Sequence, residues 1–356
     1  MTARVTFGAT NFTATNDGIG RVSRLCALAM IEGGYEPDLI SFLDKPPASL
    51  AGRPVKAMNG GKIGFAARCL ASALPAGRPA LYATAGLARA GRALPFLSAP
   101  YGVWIHGVEV WGEPAPRADY IAAIKGSRLI IANSAFTLDR AQEKLGPLPQ
   151  GRRCWLATEQ DEPAAPVARD GPPTVLILGR ISLDEGYKGH DELVDAWPSV
   201  IRAAPDARLM IAGAGSGLDA LRARVAASPA AASIDILGFV PEAEMDALWN
   251  RASVFAMPSR GEGFGLVYIE AMWRSVPVIA SVHDAGQEVN VDGETGFNVS
   301  LERKNELPDR LIELLTNADQ RRRMGENGLA RWREHFRFSR FKDRFLAILD
   351  PFVSGR

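Results

Sequence analysis

The sequence predicts an α/β protein of two doubly wound parallel-sheet domains, and three observations predict it. Short β-branched runs alternate with stretches of helical spacing along the chain, the pattern of βαβ units with parallel strands. At 356 residues the chain is longer than one hydrophobic core ordinarily serves. Across 160–173 the composition turns to the polar, proline-rich QDEPAAPVARDGPP, a linker signature after which the alternation starts afresh. The domains are therefore expected at 1–165 and 172–337.

In the first half the predicted strands are RVTFGA (Arg4–Ala9), DLISFL (Asp38–Leu43), ALYATA (Ala80–Ala85), GVWIHG (Gly102–Gly107) and RLIIAN (Arg128–Asn133). Helical spacing fills Gly20–Gly34 and Ala135–Gly146. In the second half the strands are TVLILGR (Thr174–Arg180), ARLMIAGAG (Ala207–Gly215), SIDILGFV (Ser233–Val240), SVFAMPS (Ser253–Ser259) and VPVIAS (Val276–Ser281). From Leu307 onward the chain reads as helices. In open α/β sheets ligands collect at the carboxyl ends of the strands, so two such ends facing one another would form a two-substrate cleft.

An apolar fraction of 47% and a charged fraction of 23% are those of a soluble globular protein. The chain has no run of apolar residues long enough for a spanning helix. MTARVTFGATNF reads as a first strand, not a signal peptide. Cys26, Cys69 and Cys154 are scattered without metal-ligand spacing, which fits buried inert thiols in a reduced, cytoplasmic compartment. Net charge is +1, yet no acid occurs between Asp44 and Glu109, an interval holding Lys45, Arg53, Lys56, Lys62, Arg68, Arg78, Arg89 and Arg92. Either this is a solvated basic face, or the half meets an anionic acceptor or membrane surface. Nucleic acid is not expected, because no recognition motif accompanies the charge.

The chemistry concentrates in PSRGEGFGLVYIEAMWRSVP (Pro258–Pro277). A strand feeds a glycine-punctuated loop that opens into a helix, with Glu262 in the loop and Glu270 in the helix. Eight residues of helix span about 12 Å, so the two carboxylates suit one long ligand and not one atom. In LGRISLDEGYKGHDELVDAW, Arg180 closes a strand and Lys188 precedes a helix beginning near His190. Two cations at a strand end suit a diphosphate, with charge-assisted contacts each worth roughly 1.5–3 kcal/mol. The plainer alternative pairs Arg180 with Asp184 or Glu185 and leaves Lys188 facing water. GAGSG (Gly213–Gly217) and DGIGRVS around Gly20 are incomplete dinucleotide fingerprints and read as tight turns at helix starts. Gly238, Phe239 and Val240 end a strand where backbone groups could read a base edge. No D-x-D occurs in the chain.

Taken together, GR–KG (Gly179, Arg180, Lys188, Gly189), the AGAG turn, LGFV, PS–GEGFGLVYIEAM with its Glu-x7-Glu pair, PVIAS and DGETGFNV (Asp292–Val299) cover nearly all of 174–300. In that stretch the sequence resembles the retaining GT-B glycosyltransferases of family 4. The first half is similar mainly in pattern, plus GIG near its start and WIHGVE at 104–109. The resemblance implies two Rossmann-like domains, with a C-terminal helix that carries Trp332, Phe336, Phe338 and Phe341 crossing back to the first domain over 338–356. It implies that Glu262 contacts the donor sugar and Glu270 the ribose. Phe264, Gly265 and Leu266 would offer backbone N–H groups to sugar and diphosphate, Arg180 and Lys188 would neutralise the leaving diphosphate, and His106 would face the donor sugar. Arg274 and Ser275 depart from the family, where a small residue and glycine are usual. Trp104, Trp111 and Trp273 read as packing residues, with Trp111 placed to stack on an acceptor.

The resulting expectation is a metal- and cofactor-independent, configuration-retaining hexosyltransferase. Its donor would be GDP-mannose or a UDP-sugar, and its product an α-glycosidic bond on a lipid-linked, polysaccharide or lipopolysaccharide acceptor. It would be cytoplasmic, peripheral at the inner face of the membrane. A sugar-nucleotide epimerase on the same fold and a non-catalytic sugar-binding protein are the alternatives.

Overall fold

In the computed structural model, residues 3–13, 17–73, 77–92, 99–112, 116–167, 169 and 171–355 are described. The chain forms two compact units, Met1–Glu159 with Phe338–Arg356, and Gln160–Arg337.

The first unit runs β1 (Arg4–Ala9), α1 (Gly18–Glu32), β2 (Glu36–Ser41), β3 (Ala48–Leu50), β4 (Arg53–Ala57), α2 (Lys62–Ala73), β5 (Ala80–Tyr82), α3 (Ala85–Ala88), β6 (Tyr101–Ile105), α4 (Val108–Trp111), α5 (Ala118–Lys125), β7 (Leu129–Ala132), α6 (Ala135–Leu145) and β8 (Gly151–Arg153). Among the described residues its sheet is ordered β3-β4-β2-β1-β5-β6-β7-β8, parallel except for the β3–β4 pair. Strands β6 and β7 are buried along their whole length, as expected where helices cover both faces of a parallel sheet. Helix α1 starts because Asp17 caps it, accepting from the Ile19 and Gly20 amides. Its buried Val22, Leu25, Cys26, Ala29 and Met30 recur at helical spacing.

The second unit runs β9 (Thr174–Leu178), α7 (His190–Ala203), β10 (Arg208–Ala212), α8 (Leu218–Ala227), β11 (Ile234–Gly238), α9 (Met245–Arg251), β12 (Val254–Ala256), α10 (Leu266–Trp273), β13 (Val278–Ser281), α11 (Gly286–Val289), β14 (Gly296–Val299), α12 (Glu306–Thr316) and α13 (Ala318–His335). Its parallel strands are ordered β11-β10-β9-β12-β13-β14. This is the 3-2-1-4-5-6 order of the doubly wound mononucleotide-binding fold. The order reverses between β9 and β12, which pair directly, so their carboxyl ends mark the place where such sheets bind ligands.

The last helix, α14 (Phe338–Ser354), belongs to the first unit. Phe341 and Phe345 pack on Trp104, with ring centroids 6.3 and 5.9 Å away. Leu346 lies so close to Gly33 that a Cβ there would sit 2.6 Å from it. The sequence reading placed Trp332, Phe336, Phe338 and Phe341 on one returning helix, and the structure corrects this. The helix is interrupted at Phe336–Arg337. Trp332 and Phe336 stay in the second unit, against Trp273 and Phe264.

Other readings change too. Strand β5 ends at Tyr82, short of the expected Ala85, which opens α3, and β8 and β14 were not among the expected strands. Strand β2 starts and ends two residues earlier than expected, since Phe42 and Leu43 follow it. The β3–β4 hairpin was not anticipated, because Pro46, Pro47, Gly52 and Pro54 read as loop. The acid-free interval is also less uncompensated than it looked. Lys56 pairs with Asp38 and Arg89 with Asp119, acids from either side of it. All three cysteines are buried, and burial pushes the Cys69 and Cys154 thiols up to about 12. Among the described residues no helix is long and apolar enough to cross a membrane.

Candidate active site

At the β9/β12 switch point three loops interlock. Gly179 leaves β9 with its Cα under the Lys188 side chain, 3.2 Å from Lys188 Cδ to a Cβ built there. The Arg260 amide donates to the Tyr187 carbonyl at 2.8 Å. The missing side chain of Gly261 makes room for the Tyr187 ring, which a Cβ would meet at 2.8 Å. Gly189, at φ +90°, lies equally close to Pro258. These contacts bring Lys188 to Glu262, and the ammonium donates to the carboxylate. Both side chains are largely withdrawn from solvent, at 15% and 16% exposed. The alternative in which Lys188 faces water is thereby corrected. Arg180 lies at the same strand end and is exposed. The Asp184 and Glu185 side chains, its alternative partners, lie outside the described residues.

The Glu262 backbone is held from the opposite side by a residue the sequence reading left unassigned. Asp284, fully buried, accepts the Glu262 amide through Oδ2 at 2.9 Å and the Gly286 amide through Oδ1 at 2.8 Å. In return the Ala285 amide donates to the Glu262 carbonyl at 3.1 Å. Burial first, and then the Glu262 charge, push the Asp284 carboxyl up to about 7. Its neighbour His283 accepts the Leu301 amide through Nε2 at 3.0 Å, which fixes its tautomer. His190 is buried, and that burial, aided by Lys188, lowers its pKa to about 4.

Helix α10 opens at Gly265, which takes φ +85°, a backbone glycine adopts without strain. Side-chain room decides it further, since a Cβ there would lie 2.3 Å from the Tyr268 ring. Phe264 is buried against Phe336, so its backbone remains the part a ligand could use. Leu266 is the first helical residue, and Glu270 is 9% exposed on the same helix. The loop from Glu262 to Gly265 is not helical, so the span expected from an all-helical spacing does not apply.

GAGSG proves to be scaffolding. A Cβ on Gly213, φ +149°, would lie 1.8 Å from the Gly179 carbonyl oxygen, and one on Gly215, φ +152°, 2.1 Å from that of Ile181. Both glycines let this turn press on the loop that carries Arg180. Gly238 has open space around its Cα, and its carbonyl accepts the Gly213 amide at 2.8 Å. Phe239 is 64% exposed, with Val240 partly buried beside it.

In the first unit His106 follows β6. Its Nε2 lies 2.7 Å from the Ala83 carbonyl oxygen and its Nδ1 3.4 Å from Asn133 Nδ2. Asn133 Oδ1 accepts from Trp104 Nε1, so Nδ2 is the donor to His106 and the Ala83 contact requires a proton on Nε2. Trp104 stacks on the imidazole at 6.5 Å and 20°. Glu109 accepts the backbone amides of both His106 and Gly107. Gly20 is buried in the first turn of α1, where a Cβ would overlap Asn11 Oδ1, and its amide donates to Asp17. Trp111 makes an edge contact with Phe136 at 5.9 Å.

Comparison with known proteins identifies the family and the fold. A family model described as Glycosyl transferases group 1 matches residues 158–331. The chain is 32% identical over 262 residues to a GDP-mannose-dependent monoacylated alpha-(1-6)-phosphatidylinositol monomannoside mannosyltransferase of Corynebacterium glutamicum, covering 68% of each chain. It is 38% identical over 184 residues to a phosphatidyl-myo-inositol mannosyltransferase of Mycobacterium tuberculosis, and spans 47% of that relative's length and 49% of its own. Among solved structures, sucrose-phosphate synthase from Thermosynechococcus elongatus gives a TM-score of 0.80 at 19% identity, over 99% of this chain and 100% of that one. Anabaena HepE, solved with UDP and glucose, gives 0.79 at 15% identity, over 97% and 99%. The chain belongs to the glycosyl transferases group 1 family, and its fold is that of the GT-B glycosyltransferases.

Proposed function

We propose that this protein transfers mannose from GDP-mannose to a phosphoinositide-type lipid acceptor with retention of configuration. The observation that carries the reading is the Lys188–Glu262 pair at the β9/β12 switch point. There a cation able to meet a diphosphate touches a carboxylate able to accept sugar hydroxyls, beside the start of α10, whose positive end favours an anion. The donor and acceptor names carried by the Corynebacterium relative support mannose and a lipid.

In this account Arg180 and Lys188 neutralise the departing diphosphate without a metal, Glu262 orients the sugar, and Glu270 binds the ribose. Phe264, Gly265 and Leu266 supply backbone donors, and Gly238, Phe239 and Val240 border the base. The bond from the anomeric carbon to the diphosphate breaks. The acceptor oxygen bonds to the same face, and its proton passes to the leaving diphosphate oxygen. The domains 1–165 with 338–356, and 172–337, divide acceptor from donor.

The first unit's surface supports a lipid. Leu43 and Ile63 are 49% and 87% exposed, and Lys45 and Lys62 beside them are exposed too. The Gly60 amide donates to the Phe42 carbonyl, which brings the two loops together. Exposed apolar side chains with a lysine close by in sequence suit an anionic bilayer surface.

The test is transfer of radiolabelled mannose from GDP-mannose to phosphatidylinositol in vesicles, with the anomeric configuration of the product read by NMR. An α-mannosyl lipid is expected. Hydrolysis only, a β-product, or an epimerised free nucleotide sugar would overturn the reading. Equal sedimentation with neutral and anionic vesicles would remove the membrane part.

A further inference from the structure

The Asp284 carboxylate is fully buried, accepts two backbone amides on different segments, and is also hydrogen-bonded by the Ser259 side chain. One of these, Gly286, belongs to the turn that starts α11 and is what a local cap would need. The other, Glu262, lies in the loop after β12 and has no part in that turn. With Ala285 donating back to the Glu262 carbonyl, both backbone groups of Glu262 are tied to 284–285, while its side chain is tied to Lys188. The same loop is fastened at Ser259, which is fully buried, accepts the Ser281 hydroxyl, and receives the Gly261 amide on its own hydroxyl at 3.2 Å. Tyr268, also fully buried, donates to the Met257 carbonyl at 2.7 Å and fills the space beside Gly265 and Gly286. The turn after β13 therefore fixes the φ and ψ angles on either side of Glu262, and with them the direction of its carboxylate.

We propose that Asp284 is a positioning residue for the sugar-reading part of the donor site, holding the Glu262 backbone so that its carboxylate meets Lys188 and, with donor bound, the transferred sugar. This deepens the donor-site reading above and rests on it. A buried carboxylate is costly unless each oxygen is hydrogen-bonded, and here one oxygen is spent on the loop that carries the sugar contact. Loss of that bond frees Glu262 to swing, and a displacement of about 1 Å at a reacting site can lower turnover about a hundredfold. The nucleotide end of the donor is expected to change less, because Glu270 lies along α10, beyond the loop whose backbone Asp284 holds.

The experiment compares wild type with Asp284→Asn, near-isosteric and retaining one acceptor oxygen, and with Asp284→Ala. Calorimetric titration with GDP and with GDP-mannose separates nucleotide affinity from the sugar's added affinity. Hydrogen exchange of the 260–264 amides reports the loop directly, with or without ligand. The expected result is faster exchange at Glu262 in both variants. GDP affinity should stay within about threefold of wild type while the sugar's contribution falls at least about tenfold, more in Asp284→Ala. Unchanged exchange, or GDP and GDP-mannose weakening in parallel, would overturn the proposal, the second outcome marking a merely structural role. Wild type that binds neither ligand would instead sink the donor-site reading, and the exchange rates would still decide whether Asp284 holds Glu262.

Discussion

Lys188 donates to the Glu262 carboxylate across 74 residues of sequence, with both side chains mostly withdrawn from water. Exposed ion pairs contribute roughly 0–1 kcal/mol, and removing one partner of a buried pair costs roughly 3–5 kcal/mol. This pair lies between those limits. Lys188→Met and Glu262→Gln should each destabilise by about 1–3 kcal/mol, with the double variant less destabilised than the sum. Urea unfolding of the full cycle measures the coupling, and strict additivity would show that the two do not interact.

Ser275 adopts φ +56°, the left-handed region that costs an L-residue about 1–2 kcal/mol. The family resemblance of the sequence leads one to expect glycine there. Glycine would relieve that strain but loses roughly 0.5–1 kcal/mol of backbone entropy on folding. Ser275→Gly should therefore raise the urea midpoint by an amount worth up to about 1 kcal/mol. A lowered midpoint would mean that the serine side chain compensates for its backbone.

Gly213 presses on the Gly179 carbonyl, and backbone cannot yield as a flexible side chain can. Gly213→Ala should cost about 3 kcal/mol or more, the upper range for overpacking, and shift the loop holding Arg180. A variant with a wild-type melting temperature and wild-type donor binding would contradict the close approach.

Asp284 titrates at about 7, above the ordinary aspartate value near 3.9. The charged groups facing it are Glu262 and, beyond it, Lys188, and Tyr268 is the buried hydroxyl alongside. A raised folded-state pKa means that the folded chain holds this proton more tightly than the unfolded chain. Its contribution is complete below about 4 and is lost as pH rises through about 7. Compared with Asp284→Asn, wild type should lose stability between about pH 4 and pH 8. A stability difference that does not change with pH would show that the carboxyl titrates normally.

How far the sequence reached follows from what each feature depends on. Five of the six strands of the second unit, β9 to β13, were legible to within a few residues because buried parallel strands are nearly continuous apolar runs, and TVLIL is such a run; β14 was not among them. Helix α10 was legible to the residue, since Gly265 starts it and Trp273 ends its apolar stretch. The β3–β4 hairpin was hidden, because Pro46 and Pro47 precede β3 and Pro54 lies in β4 before its pairing with β2 begins at Lys56, where a missing N–H does little harm. The Trp332–Phe341 stretch read as one helix, because nothing local signals that its aromatics serve two different cores. Lys188 and Glu262 were each visible as a motif, but their contact is made by the strand order. Asp284 was invisible for a related reason. Its work is to accept backbone amides, and a backbone amide has no sequence signature.

The most direct measurement is the thermal stability of the wild-type protein and of Lys188→Met with GDP-, UDP- and ADP-sugars. At a ligand concentration about a hundredfold above Kd, stabilisation of about 2.7 kcal/mol is expected. The account predicts a raised melting temperature for wild type with GDP-mannose, and a much smaller rise for Lys188→Met. No shift of the wild-type protein with any of the three, or an equal shift in the variant, would contradict a donor site built on Lys188 and Glu262.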